Sequence, residues 1–300
     1  MLRGEMCPEA SNSVHEKGAM SGTLYIVATP IGNLEDITLR ALRVLREADL
    51  IAAEDTRVTR KLLSRYDIHT PTTAYHQHSR GGRAEEILDV LTAGKSVALV
   101  SDAGTPGISD PGHELIAMCI AEGVEVQAVP GPAALIAALV VSGMPTAHFA
   151  FDGFPPRKES ERRAFFASLK QDTRTICLYE SPLRLVATLR SIRDELGDRR
   201  VAVVREATKL HEEVFRGPVS EAIDHFGAGK VRGEVVIVVH GAVPGDEQRP
   251  GVPEGTLESR LSELLDRGLS ERDAVRQCVV EFRLPRRRVY AAALRMKRER

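Results

Sequence analysis

Two periods of apolar and polar positions alternate along the chain. Thr23–Thr29 (TLYIVAT) is a short apolar run closed by Pro30-Ile31-Gly32-Asn33, and it predicts a buried strand ending in a turn. Ile37, Leu39, Leu42, Val44 and Leu45 then fall at helical spacing. Leu50–Glu54 predicts a second strand, with Asp55-Thr56-Arg57 opening the next helix. The pattern repeats as a short strand at Thr72–His76, a helix at Ala84–Leu91, a strand at Val97–Ser101 and a helix at His113–Ala121. A strand at Val124–Val129 and a helix at Ala133–Val141 follow. Strands alternating with helices predict an α/β fold with a mostly parallel sheet.

Pro145 and the segment Gly153-Phe154-Pro155-Pro156-Arg157-Lys158 interrupt this pattern. It resumes with a strand at Thr175–Tyr179, a helix at Leu183–Leu196, and strands at Val201–Val204 and Glu234–His240 (EVVIVVH), so a second α/β unit is expected. Ala242–Gly255 has no apolar period and is rich in Pro and Gly, which reads as a linker. Beyond it, two short helices around a turn near Phe282–Pro285 predict a small helix-turn-helix-like module ending in Arg286-Arg287-Arg288. That module is either a packing cap with a solvated charged face or an RNA contact. The expected organisation is a flexible tail (1–21), an N-terminal α/β domain (22–145), a C-terminal α/β domain (146–241), a linker (242–255) and a helical module (256–300).

Composition narrows the function classes. The net charge of −1 leaves only local patches for polyanions, and the absence of tryptophan with 4% aromatics argues against extended base-stacking platforms. Cys7, Cys119, Cys177 and Cys278 are far apart, and there is no CxxC or HExxH. His76-Gln77-His78 would point its two rings to opposite strand faces, so no metal site is expected. No apolar run reaches the roughly 20 residues of a membrane helix, and residues 1–21 lack the apolar stretch of a signal peptide, with Met20 an alternative start. A reducing, cytoplasmic compartment fits.

The chemistry is expected at strand ends. Six polar or Gly/Pro-rich segments sit there: Thr29–Asn33, Glu54–Arg57, Ser101–Gly112, Pro130–Pro132, Tyr179–Pro182 and Arg205–Lys209. In open α/β sheets, ligands bind beyond the carboxyl ends of the strands, so these loops predict one crevice rimmed from both halves. None is GxGxxG or GxxxxGK[ST], which removes support for a dinucleotide or triphosphate.

Several long segments, in order, resemble a known family. They are LYIVATPIGNLEDITLRAL (Leu24–Leu42), IAAEDTR (Ile51–Arg57), LVSDAGTPGISDPG (Leu99–Gly112), VPGPAA (Val129–Ala134), GFPPRK (Gly153–Lys158), YESPLRL (Tyr179–Leu185), REATK (Arg205–Lys209) and GEVVIVV (Gly233–Val239). Over about residues 22–241 the chain resembles the tetrapyrrole-methylase superfamily (class III methyltransferases). Within it, the resemblance is to members that methylate the 2′-hydroxyl of a cytidine in 16S ribosomal RNA of the small subunit. The resemblance implies S-adenosylmethionine in the interdomain cleft and a homodimer. It places the cofactor at Ser101, Asp102, Ala103, Gly104 and Thr105, at Pro130, Gly131, Ala133 and Ala134, and at Tyr179, Val204, Arg205, Glu234 and Val235.

Elementary chemistry fits these positions. A carboxylate such as Asp102 can meet a sulfonium or ammonium, although an Asx turn or helix cap is its structural alternative. Free N–H groups at Gly104 and at the following helix start can meet a carboxylate. A ribose hydroxyl is a weak nucleophile, so a base or an orienting charge is expected. Glu54, Asp55, Arg57, Glu180 and Lys209 are the candidates, with Arg205 and Glu206 beside them. Asp55 is equally an N-cap, Arg57 equally an ion-pair partner, and Arg157 and Lys158 equally RNA-phosphate contacts or a solvated loop. Two rivals stay open: a methylase of a corrin or porphyrin precursor, and a non-catalytic adenosyl-ligand-binding RNA assembly factor.

Overall fold

The computed structural model describes residues 22–76, 82–243, 256–282 and 286–299. They form two units, one up to Gly241 and one from Ala242 onward.

The first unit holds two five-stranded sheets. The first contains β1 (Thr23–Val27), β2 (Leu50–Ala53), β3 (Thr72–Ala74), β4 (Val97–Val100) and β5 (Glu125–Val129), all parallel, in the order β3-β2-β4-β1-β5. Its central strands are buried along most of their length, β4 completely, as expected of a parallel sheet covered on both faces. The helices α1 (Leu39–Glu47) and α2 (Thr56–Arg65) supply one apolar layer through Ala41, Leu45 and Leu62. The other layer comes from α3 (Arg83–Thr92) and α4 (His113–Ala121) through Ile87, Leu91 and Leu115.

The second sheet departs from the parallel expectation. It contains β6 (Phe149–Phe151), β7 (Thr175–Glu180), β8 (Arg200–Arg205), β9 (Glu213–Pro218) and β10 (Val235–Val239), in the order β6-β7-β10-β8-β9. Only β6 and β7 are parallel; β10 runs antiparallel to β7 and β8, and β8 to β9. All five residues of β10 (VVIVV) are buried, about 1.5–3 kcal/mol for each large side chain. The elements β6, α6 (Glu159–Ser168), β9 and α8 (Val219–Gly227) are additional to those expected. The helix α7 (Leu185–Leu196) packs with α8 on one face of this sheet.

The helix α5 (Ala134–Ser142) is apolar on all sides, burying one face and leaving Ile136, Val140 and Val141 exposed. It follows β5 in the chain, yet Ala138 and Leu139 pack on Cys177, Ala202, Val204, Val236 and Val238 of the second sheet. It thereby joins the two sheets and sets its first turn at the crevice between them.

Among its described residues the second unit has three helices where two were expected: α9 (Thr256–Asp266), α10 (Glu271–Phe282) and α11 (Arg286–Glu299). Leu257, Leu261, Leu264, Val275, Cys278, Val289 and Ala292 form its core. The expected turn near Phe282–Pro285 lies largely outside the described residues, and the Arg-rich run from Arg286 is a helix. The side chains of Arg286–Arg288, the 1–21 tail, His78 and most of the 242–255 linker lie outside the described residues.

Candidate active site

A cavity of about 610 Å³ opens between the two sheets of the first unit. Its floor is the loop that follows β4. Two main-chain hydrogen bonds hold this loop on β1: Thr29 N–H donates to the Gly104 carbonyl (2.8 Å) and Gly104 N–H to the Thr29 carbonyl (3.0 Å). Gly104 sits at φ +85°, a conformation that glycine adopts without steric cost. Asp102, Ala103, Gly104 and Thr105 all line the cavity, as do Ala133 and Ala134 at the start of α5. From the second sheet come Tyr179, Val204, Glu234 and Val235.

The walls carry five carboxylates, from Glu54, Asp102, Asp110, Glu180 and Glu234, and no lysine, arginine or histidine among the described lining residues. Two of them are cross-braced: Asp102 N–H donates to Glu54 (3.2 Å), and Asp55 N–H donates to the Asp102 carboxylate (3.0 Å). Burial holds the Glu54 and Asp102 carboxyls above the ordinary carboxylate range. Burial, with Glu54 next to it, pushes Asp110 up to about 6. Elsewhere the wall is apolar. Tyr179 stacks edge-on against Phe151 and the half-exposed Phe154, with centroids 4.8 and 5.6 Å away. Burial raises the Tyr179 hydroxyl, which accepts from the Leu135 N–H at the uncapped start of α5.

Such a pocket suits an organic cation with an apolar body and disfavours a phosphate. Residues 23–223 match the model of the Tetrapyrrole (Corrin/Porphyrin) Methylases. A ribosomal RNA small subunit methyltransferase I of Thermotoga maritima is 54% identical over 220 residues, covering 73% of this chain and 99% of that protein. One of Synechocystis is 49% identical over 276 residues, covering 92% and 98%. The chain belongs to the ribosomal RNA small subunit methyltransferase I family, within the tetrapyrrole methylases. Among solved structures, a cobalt-precorrin-4 methyltransferase of cobalamin biosynthesis shares the fold, with a TM-score of 0.56 at 22% identity over 73% of this chain and 94% of that one. A Thermus thermophilus uroporphyrin-III C-methyltransferase, solved with S-adenosylhomocysteine, has a TM-score of 0.51 at 22% identity over 73% and 97%.

Against this family's fold, several expected site residues take other roles. Asp55 caps α2 through the Arg57 N–H (2.8 Å) and grips the Arg57 guanidinium (2.6 Å), which holds its carboxyl down at about 2. Neither residue lines the cavity, and Arg57 is largely exposed. Glu180 touches the cavity but is buried and fully engaged, accepting from Arg184 (2.7 Å), from the Ser181 N–H (2.7 Å) and from the Thr188 hydroxyl. These bonds tie it to the start of α7. Lys209 is clasped by Glu206 (2.8 Å) and Glu234 (3.1 Å) and borders a separate shallow pocket with Gly32. Burial works against its charge, but the two carboxylates outweigh it and hold the ammonium above its ordinary range.

The Arg205 guanidinium turns along the sheet to Glu213 (2.8 Å), away from the cavity. Pro130 and Gly131 shape the turn into α5 without lining it. Ser101 is buried beneath the loop, its hydroxyl donating to the Gly104 carbonyl (3.5 Å) and lying beside Asp110. The Gly104 N–H, expected to be free, is used by Thr29, and the start of α4 borders a neighbouring cavity instead. Sequence reasoning passed over Ile31, Ile108, Leu135, Phe154, Asp110 and Gly233. Asp110 lay inside the loop already singled out, and only its burial distinguishes it from Asp102.

Proposed function

We propose that the protein transfers a methyl group from S-adenosylmethionine to the 2′-hydroxyl of a cytidine in 16S ribosomal RNA. The carrying observation is the acidic, cation-free wall of a largely apolar cavity. A sulfonium and an ammonium complement Glu54 and Asp102. The adenine complements the apolar stretch of Ala134, Val204 and Tyr179, and the donor's carboxylate the first turn of α5, which has no side-chain cap. The volume lies within the ordinary range for small-ligand sites, about 300–1,000 Å³.

The donor supplies an electrophilic methyl carbon on a positively charged sulfur. The chain's own part is to hold that centre while an acceptor oxygen comes in line at about 3 Å. The loop pinned by Thr29 and Gly104 fixes the floor, the braced pair Glu54–Asp102 fixes the charge, and Tyr179 with Phe154 limits water on the apolar side. The names of the relatives support ribosomal RNA as the acceptor, and an enzyme acting on it works in the cytoplasm. The helical unit, with the arginines of α11, contributes RNA contact, and two copies form a homodimer.

The test supplies labelled donor to the full-length protein with unmodified small subunits, large subunits and uroporphyrinogen in parallel. Label in small-subunit RNA alone is expected. Label in the macrocycle would establish the corrin/porphyrin reading, and donor binding without transfer would establish a ligand-binding assembly factor.

A further inference from the structure

A second cavity of about 520 Å³ lies against the first. Tyr75, Arg83, Gly112, His113 and Met118 border it, and Ser109 and Asp110 line both. Ser109 adopts a left-handed backbone (φ +63°), and Gly107 and Gly112 flank the segment with positive φ. This turn sequence carries the Asp110 carboxylate onto the partition between the two spaces.

We propose that the second cavity admits the acceptor nucleoside, and that Asp110 on the shared wall orients its hydroxyl and accepts its proton. This rests on the methyl-transfer reading above. Two arguments select Asp110. Geometrically, an acceptor must reach the methyl donor from an adjoining space, and the partition is where a group can face both. By elimination, the other carboxylates are committed: Glu180 to Arg184 and Thr188, Glu234 to Lys209, and Glu54 and Asp102 to each other's loops. Among the described residues Asp110 has no ion-pair partner, and the Ser101 hydroxyl lies beside it. In the step, the hydroxyl oxygen bonds to the methyl carbon and the methyl–sulfur bond breaks, its electron pair staying on sulfur. The hydroxyl proton passes to Asp110, which then releases it to water. Charge balances, since one cation and one carboxylate become neutral.

The electrostatic surroundings suit a base. Glu54, Asp102 and Glu234 face Asp110 from the first cavity and raise its proton affinity alongside burial, with Tyr179 also near. His76, Arg83, Glu85, His113 and Glu114 border the second cavity. A carboxyl titrating near 6 is ionised at neutral pH and more basic than an exposed one, as a general base requires.

The test uses the full-length protein with unmodified small subunits and compares Asp110→Asn and Asp110→Glu. Two quantities are read: donor affinity by calorimetry, and the pH profile of kcat. Asp110→Asn should lower kcat about 100-fold or more, while donor affinity changes less than about tenfold. It should also remove the acidic limb of the profile, and Asp110→Glu should restore part of kcat with that limb. A variant Asp110→Asn that keeps the wild-type kcat and limb overturns the assignment. So does a parallel loss of donor affinity and kcat with the limb intact, which marks a structural role. A wild-type protein that binds donor but methylates no small subunit overturns the functional reading itself, which separates the two failures.

Discussion

Thr29 and Gly104 exchange their main-chain hydrogen bonds at 2.8 and 3.0 Å, joining the end of one central strand to the loop after its neighbour. The pair turns a Gly/Pro-rich segment into a rigid floor. An added Cβ at Gly104 meets nothing closer than Ile31 at 3.5 Å, so Gly104→Ala suffers from its positive φ rather than from a clash. The variant should lose about 1 kcal/mol of stability and bind donor several-fold more weakly. Denaturant titration and calorimetry on the same preparation check both effects.

Glu180 tests whether a cavity carboxylate can be purely structural. Its side chain is fully buried and holds Arg184 and Thr188 at the start of α7. Glu180→Ala leaves Arg184 without its buried partner and should cost about 3–5 kcal/mol, read as a lowered denaturation midpoint. Turnover of the protein that remains folded should be near wild type, since no proton transfer depends on this residue.

Asp110 should show the opposite signature. Its folded pKa, about 6, lies above the 3.8 of an exposed aspartate. The native state therefore holds the proton more tightly, and stability falls as pH rises from about 4 through 6. Asp110→Asn carries no charge to desolvate. It should be more stable than wild type at pH 7, with the advantage gone below pH 4. Unfolding midpoints of the two proteins across this range check the sign.

Lys209 holds Glu234 at the cavity rim while its stem packs against Gly32, at the loop after β1. Lys209→Met keeps the stem and removes the charge, leaving Glu206 and Glu234 to repel one another. Donor affinity should fall while the pH profile of kcat keeps its shape. A lost limb in that profile would return Lys209 to proton transfer.

The helical unit carries its own apolar core, so removing residues 256–300 leaves the cores of the two sheets intact. The T. maritima relative is matched over 99% of its length by only 220 residues of this chain. The truncated protein should keep its donor affinity and show a raised KM for small subunits. An unchanged KM would make the unit a packing element.

The first sheet was legible because β1, β2 and β4 are short apolar runs with polar stops, and its helices α1 and α2 carry one apolar face. The second was less so. β9 (EVFRGP) is a half-exposed edge strand with mixed residues, and α6 buries only Arg162 and Phe166. Antiparallel pairing of β10 with both neighbours leaves no mark in a five-residue apolar run. At the site, loop composition identified the Asp102–Thr105 floor and the α5 start. It could not separate cavity carboxylates from clasped ones, because Glu180, Lys209 and Arg205 are assigned by ion-pair partners 3 to 25 residues away in sequence. Asp55 and Arg57 show the same lesson locally, where an N-cap and its ion pair mimic a catalytic dyad.

The most direct test of the account is mass spectrometry of small-subunit RNA after incubation with the full-length protein and methyl-labelled S-adenosylmethionine. Digestion to nucleosides should place the label on the ribose of cytidine, as 2′-O-methylcytidine, at one site per particle. Label on a base, on another nucleoside, or on no RNA while donor binding persists would contradict it.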